Sequence, residues 1–199
     1  MRFNWTRAVA LTVVCWAGSA SAGQVSSNVT VLVVTDLGDI TVAIDTEHAP
    51  QTAANFLRYV DTGAYNDGQF HRTVTMQNQP NNDVRIEVIQ ASVNRGRSEG
   101  SFDPIQLERT SVTGLRHIDG AISMARGGPA TATSSFFFCI GNQPSLDFGG
   151  DRNPDGQGFA AFGYVVSGSE VIRQIQMQPA DGQRLEPPIR IVSVARSNN

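Results

Sequence analysis

Arg72 is the residue best placed to do chemistry. It stands in Phe70-His71-Arg72-Thr73-Val74, so a planar guanidinium with fixed donors emerges beside apolar surface. Taken alone, such an arginine is most simply a solvated or ion-paired side chain. The second candidate lies in Ser134-Ser135-Phe136-Phe137-Phe138-Cys139-Ile140. The two-residue period of a strand puts Phe136, Phe138 and Ile140 on one face, and Ser135, Phe137 and Cys139 on the other. The first face is ordinary core. The second offers one large ring between two small residues, which suits the floor of a pocket for a single compact apolar group. On pattern alone a triple-phenylalanine run reads more simply as core throughout. Covalent and metal chemistry find no footing. His48, His71 and His117 are the only histidines, and none has ligand spacing to another His, a Cys or paired carboxylates. Ser135 lies in no nucleophile elbow, and Gly127-Gly128 is too short a signal for a phosphate loop.

The elements that must position these residues are mostly short β-prone runs. Val29–Thr35 and Ile40–Ile44 read as strands joined by Asp36-Leu37-Gly38-Asp39, a hairpin turn. A helix begins at Pro50, carries Ala53, Ala54, Phe56, Leu57 and Val60 at helical spacing, and stops at Gly63. It is amphipathic and suited to plugging one end of a barrel. Strands follow at Phe70–Val74 and Ile86–Val93, separated by a polar excursion, Met76–Asp83. Arg95–Asp103 reads as a loop. An apolar run ends at Gly127-Gly128-Pro129, an irregular connection into the phenylalanine strand. After a turn-rich segment, Gly141–Gly158, come a strand at Phe159–Val166, a helix at Ser169–Ile175 capped by its serine, and a last strand at Ile189–Ala195. Many short strands with only two helices argue for a closed antiparallel barrel, and no repeat, linker or charge run divides it.

The chain has 199 residues, 40% hydrophobic and 17% charged, with a net charge of −3. That is enough for one domain with a real core, and it argues against nucleic acid or an anionic membrane as partner. Arg2 and Arg7 precede the apolar run Ala8–Ala17 and the small-residue site Ala20-Ser21-Ala22. This reads as a secretory signal peptide over residues 1–22, cut after Ala22, leaving one domain over residues 23–199. The run is too short to span a bilayer, and nothing later is long enough. Cys139 is then the only cysteine, so no internal disulfide is expected despite an oxidising, periplasmic destination.

Together these segments resemble the cyclophilin family of peptidyl-prolyl isomerases. The resemblance is carried in order by Phe70-His71-Arg72, Ile89-Gln90, Ser123-Met124-Ala125-Arg126 with Gly128-Pro129, Ser134 with Phe136-Phe137, and Phe162-Gly163. It runs from Val31 to Val194. It implies a mainly β fold, a closed antiparallel eight-stranded barrel capped by two α-helices. It also implies an enzyme that accelerates rotation about Xaa-Pro bonds, with proline-containing polypeptides as substrates and no cofactor. Amide rotation breaks no σ bond, so the lack of covalent machinery fits. The arginine matching Arg72 is catalytic in the family, and the phenylalanine matching Phe137 floors the proline pocket. Gln90 matches a glutamine that hydrogen-bonds substrate and arginine. The backbone of Ala125 and Arg126 matches a segment that pairs with extended peptide. Leu146 matches an apolar wall, Phe70 joins the substrate site through its motif, and Ser135 and Phe159 stand where a glutamine and a histidine are common.

Several replacements set the chain apart. A polar loop, Met76–Arg85, is inserted, and Glu87 and Val88 stand where a Phe-Met pair is usual. Ala91-Ser92 replaces Gly-Gly. Ser145 replaces a tryptophan, so weak cyclosporin binding is expected. His71 reads as structural, and His117 as a surface or turn residue. The reading is a monomeric, secreted prolyl isomerase assisting the folding of exported proteins. Its rivals are a non-catalytic proline-peptide-binding or chaperone module on the same barrel, and a lipocalin-like carrier, which leaves the arginine beside the pocket unexplained.

Overall fold

A computed structural model describes Met1 and residues 28–94, 96 and 102–197. The signal peptide, its cleavage after Ala22 and most of the Arg95–Asp103 loop therefore lie outside the described residues. Runs rich in Val, Ile, Phe and Thr form the strands, as their branched and aromatic side chains favour. They are β1 (Asn28–Thr35), β2 (Gly38–Asp45), β3 (Gln69–Val74), β4 (Val88–Ser92), β5 (Ala121–Met124), β6 (Phe136–Cys139), β7 (Ala160–Ser167), β8 (Ala180–Asp181) and β9 (Arg184–Arg196). Hydrogen bonds join them in the order β1-β2-β7-β5-β6-β4-β3-β9-β8, every pair antiparallel. Pairing of β1 with β9 closes eight of them into a barrel, with β8 attached only to β9. Closure leaves the barrel without a free edge.

Alternation along each strand sorts the side chains into two apolar clusters. Val31, Val33, Ile40, Val42, Phe70, Ile89, Ile122, Phe136 and Phe138 fill the barrel interior. Val74, Ile86, Val88, Ala121, Phe137, Cys139 and Leu146 form a smaller cluster on the outside of the wall. The two faces of β6 thus part as its period requires, Phe136 and Phe138 inward and Phe137 and Cys139 outward.

Helix α1 (Pro50–Asp61) plugs the barrel with Phe56, whose ring lies 5.4 Å from Phe136 and 5.2 Å from Phe162. It ends as its sequence predicts, with Gly63 at φ +65°, a conformation glycine adopts without strain. Beyond the two expected helices stands a single turn, α2 (Thr110–Thr113). The later helix, α3 (Ser169–Gln176), buries Val171, Ile172 and Ile175. The serine cap is not formed. Ser169 is already helical, and the cap position is Gly168, at φ +87° with no side-chain bond. Any β-carbon there would meet the Asp39 carbonyl oxygen at 2.3 Å, so the close approach of β2 excludes a capping side chain. Among the described residues no helix is long and apolar enough to cross a membrane.

Candidate active site

A β-bulge decides where Arg72 points. Phe70 pairs with Ala91 on β4 and Arg72 with Gln90, so the register shifts at His71; against β9 the pairing is also interrupted there, passing from Ile189 to Arg184. In an unbroken strand residues 70 and 72 would share a face. The extra residue reverses the alternation, sending Phe70 into the barrel and Arg72 out of it. Phe70 is fully buried against Phe136 and Phe138, with ring centroids 6.2 Å away in both cases. It is therefore core, and its expected place in the substrate site is corrected.

Outside the wall, register lines up a transverse row. Arg72 on β3 faces Gln90 on β4, Gln90 faces Phe137 on β6, and Phe137 faces Ser123 on β5. Over this row lies a cavity of about 270 Å³ lined by Arg72, Gln90, Ala125, Arg126, Phe137, Leu146 and Phe159 of the expected residues. Phe159 stands edge-on to Phe137, centroids 5.4 Å apart at 88°. Leu146 comes from a one-turn 3-10 helix, Pro144–Leu146, and is fully buried. At the start of β4 the wall is Val88, with Ile86 from the segment just before it; Glu87 instead accepts a bond from Gln176 at 3.3 Å. Ser135 does not line the cavity. It precedes β6, and its carbonyl accepts the Ala125 N–H at 2.8 Å, so that N–H is not available to a peptide either. The Arg126 side chain is buried and committed: Nε donates to Gly158 O at 2.7 Å, and Nη1 and Nη2 grip Asp155 at 2.8 and 3.0 Å. Arg126 thus braces the Gly141–Gly158 segment beneath Phe159.

The guanidinium of Arg72 is fixed by two amides. Nη1 donates to Gln90 Oε1 at 2.9 Å, and Nε and Nη2 donate to Gln183 Oε1 at 3.0 and 2.6 Å. Three of its five N–H groups are used, leaving two. Both partners are neutral, so the geometry is set without cancelling the charge. Burial, and then repulsion from Arg152, lower the Arg72 pKa, but an arginine stays protonated under these conditions. No sequence pattern points to Gln183, which sits between β8 and β9. Its Nε2 donates to the Asn78 carbonyl at 3.1 Å. Asn78 is pinned by Thr75 N–H at 2.8 Å and by the carbonyls of Thr73 and Gly182, both at 3.0 Å. The inserted Met76–Asp83 loop is therefore a bracket for the Arg72 partner.

His117 is not a surface residue. It is buried behind the pocket, its ring stacked on Phe137 at 6.1 Å and 14°. Nδ1 lies 2.8 Å from Asp147 Oδ1, and Nε2 lies 2.9 Å from Ser123 Oγ. Burial pushes the Asp147 carboxyl up, but donors from the His117 side chain and backbone and from Arg116 hold it below the usual range on balance. Asp147, ionised, accepts the Nδ1 proton and so fixes the ring behind Phe137. Cys139 is buried and free, and burial pushes its thiol far up, as a small core hydrophobe requires. A second cavity, about 420 Å³, adjoins across Arg72; its lining of Gln69, His71, Arg72, Ser92, Gln183 and Arg184 is polar throughout. Only the smaller one has a ring floor. Among the described residues no group of three or more His, Cys, Asp or Glu side chains could hold a metal ion.

A sequence profile of the family described as cyclophilin type peptidyl-prolyl cis-trans isomerase/CLD matches residues 30–196. Peptidyl-prolyl cis-trans isomerase A of Dickeya dadantii (strain 3937) is 33% identical over 175 residues, 86% of this chain and 85% of the relative. A Neurospora crassa relative, peptidyl-prolyl cis-trans isomerase-like 1, is 34% identical over 154 residues, 76% of this chain and 83% of the relative. Among solved structures, a Cryptosporidium parvum cyclophilin type peptidyl-prolyl cis-trans isomerase, crystallised in the presence of the dipeptide Ala-Pro, superposes with a TM-score of 0.69. It is 21% identical and covers 85% of this chain and 99% of that one, a likeness of fold.

Proposed function

The chain belongs to the cyclophilin-type peptidyl-prolyl cis-trans isomerase family, and from that premise we propose that its Xaa-Pro bond is turned in the cavity over Phe137, with Arg72 as the catalytic residue. The barrier to be lowered is about 18–20 kcal/mol and comes from amide resonance. An enzyme lowers it by holding the twisted amide better than the planar one. Phe137, Leu146, Phe159, Ile86 and Val88 form an apolar socket for the pyrrolidine ring. As the amide twists, the prolyl nitrogen regains a lone pair. An Arg72 N–H not used by Gln90 or Gln183 donates to it, in a site already organised for that charge. Gln90 both orients the guanidinium and contacts the substrate.

The observation that carries this reading is the guanidinium held by two neutral amides in the row that also contains the Phe137 floor. In the same reading the enzyme acts on exported proteins in the periplasm, as a monomer. Its support is the Arg2/Arg7, Ala8–Ala17 and Ala20-Ser21-Ala22 pattern. The test is exchange NMR on a short Xaa-Pro peptide. Arg72→Ala should lower turnover at least ~10-fold, about 1.4 kcal/mol of barrier, with the barrel spectrum unchanged. Equal turnover would remove Arg72 from the mechanism. Binding without acceleration by the wild type would make the site a recognition module.

A further inference from the structure

The cavity over Phe137 carries more positive charge than its partners answer. Arg72, Arg126 and Arg152 all line it, and no Asp or Glu does. Arg126 is neutralised by Asp155. Arg72 has only amide partners, and Arg152 donates Nη1 to the Val84 carbonyl at 2.6 Å. Two guanidinium charges thus face one small space. The other acids of the segment are occupied or turned away: Asp147 is held by His117 and Arg116, and Asp151 is exposed and outside the lining. Next to Arg152 stands Asn153, which also lines the cavity, and its Nδ2 is buried with no hydrogen-bond partner. An orphaned buried donor costs about 1–3 kcal/mol, so it marks a missing acceptor.

Unanswered cations and an unpartnered donor in one cavity call for an anionic acceptor. Resting on the reading of this cavity as the proline site, we propose that the enzyme selects proline segments with an acidic side chain flanking the proline, whose carboxylate is received by Arg152 and Asn153. A carboxylate offers two oxygens with about four acceptor sites, enough for both residues together. Charge-assisted bonds of this kind are the strong ones. The whole molecule is weakly acidic, at −3, so the attraction is local to the cleft, where low-dielectric walls concentrate it.

The test uses peptides blocked at both ends, so that only a side chain supplies a carboxylate, with Glu or Gln placed immediately before or immediately after proline. Exchange NMR gives kcat/KM for each, and shift titration gives Kd. The Glu peptide in one of the two positions should exceed its Gln twin about tenfold at low salt, with the ratio shrinking in high salt. Arg152→Gln should bring the ratio toward one. Asn153→Asp, nearly isosteric, should do the same by answering Arg152 from within the protein, which keeps the test decisive if Arg152→Gln fails to fold. Equal Glu and Gln values in the wild type would overturn the proposal and leave isomerisation standing. Acceleration of no peptide would overturn the catalytic reading instead, and the Kd ratio would then decide the carboxylate preference by itself.

Discussion

Gln183, which lies outside the lining of the cavity over Phe137, holds Arg72, proposed above as the catalytic residue. Its single oxygen takes both Nε and Nη2 of Arg72, and its nitrogen is tied to Asn78. Gln183→Leu keeps much of the bulk and removes the acceptor. It should lower kcat roughly tenfold, the scale of a modest misplacement of a catalytic group, while KM changes less than about twofold. The Arg72 Nε–H signal should lose its protection in NMR exchange. An unchanged kcat with Nε–H still protected would return Gln183 to a purely structural part. Nothing in the sequence pointed to it, because Arg72 and Gln183 lie 111 positions apart and meet only through barrel pairing. By contrast the gathering of Arg72, Gln90, Phe137, Leu146 and Phe159 around one cavity was legible, since a family resemblance preserves residue types at fixed order. Phe70 was misplaced because its motif says nothing of which face it takes, and a one-residue bulge that leaves no mark in composition puts it on the opposite face from Arg72. His117 was missed because its partners, Asp147 and Ser123, come from other segments.

Among the elements, α1 has a cap supplied from far along the chain. No local side chain caps its first turn; instead Glu108 accepts Gln51 N–H at 3.1 Å, Thr52 N–H at 2.7 Å and Thr52 Oγ at 2.6 Å. The carboxylate also sits at the positive end of the helix dipole. Glu108→Ala should therefore cost about 1–2 kcal/mol, within the range of cap deletions. In a chain of this size that is roughly 2–8 °C in Tm. Glu108→Gln should recover part of it, and a Tm unchanged in Glu108→Ala would show that the cap contributes nothing. The long elements were legible from period and punctuation, with ends within a few residues; only β9 started well before its apolar run. The short ones were not. The two-residue β8 and the single turn α2 carry too few residues to show any period, and β8 is a strand only through its pairing with β9. It is β8, with its turn, that brings Gln183 back to Arg72.

At the scale of the whole molecule the barrel and the pocket are held by different forces. The barrel is a closed ring of backbone pairing around an apolar interior, neither of which titrates in acid. The outer pocket wall leans on two carboxylates of one segment. Asp147 fixes His117 behind Phe137, and Asp155 fixes Arg126 beneath Phe159. Both are depressed below the ordinary value of 3.8; the Arg126 bond brings Asp155 to about 2. A depressed carboxyl stabilises the folded form above its unfolded pKa, and that contribution is lost as pH falls through the folded one. Acidification from about pH 4 to pH 2 should thus loosen the pocket before the barrel. Asp45 and Asp61 are depressed as well, but they pair with His48 and Arg196 away from the cavity over Phe137, so their protonation does not act on its wall. Amide exchange across this range should show protection falling first in residues 144–159 and around Ala125, with β1, β2 and β9 still protected. Peptide binding should disappear in the same step, and Asp155→Asn should move that step to higher pH. A single transition in which pocket and strands lose protection together would mean that the wall has no independence, and that the pocket is as stable as the barrel it is built on.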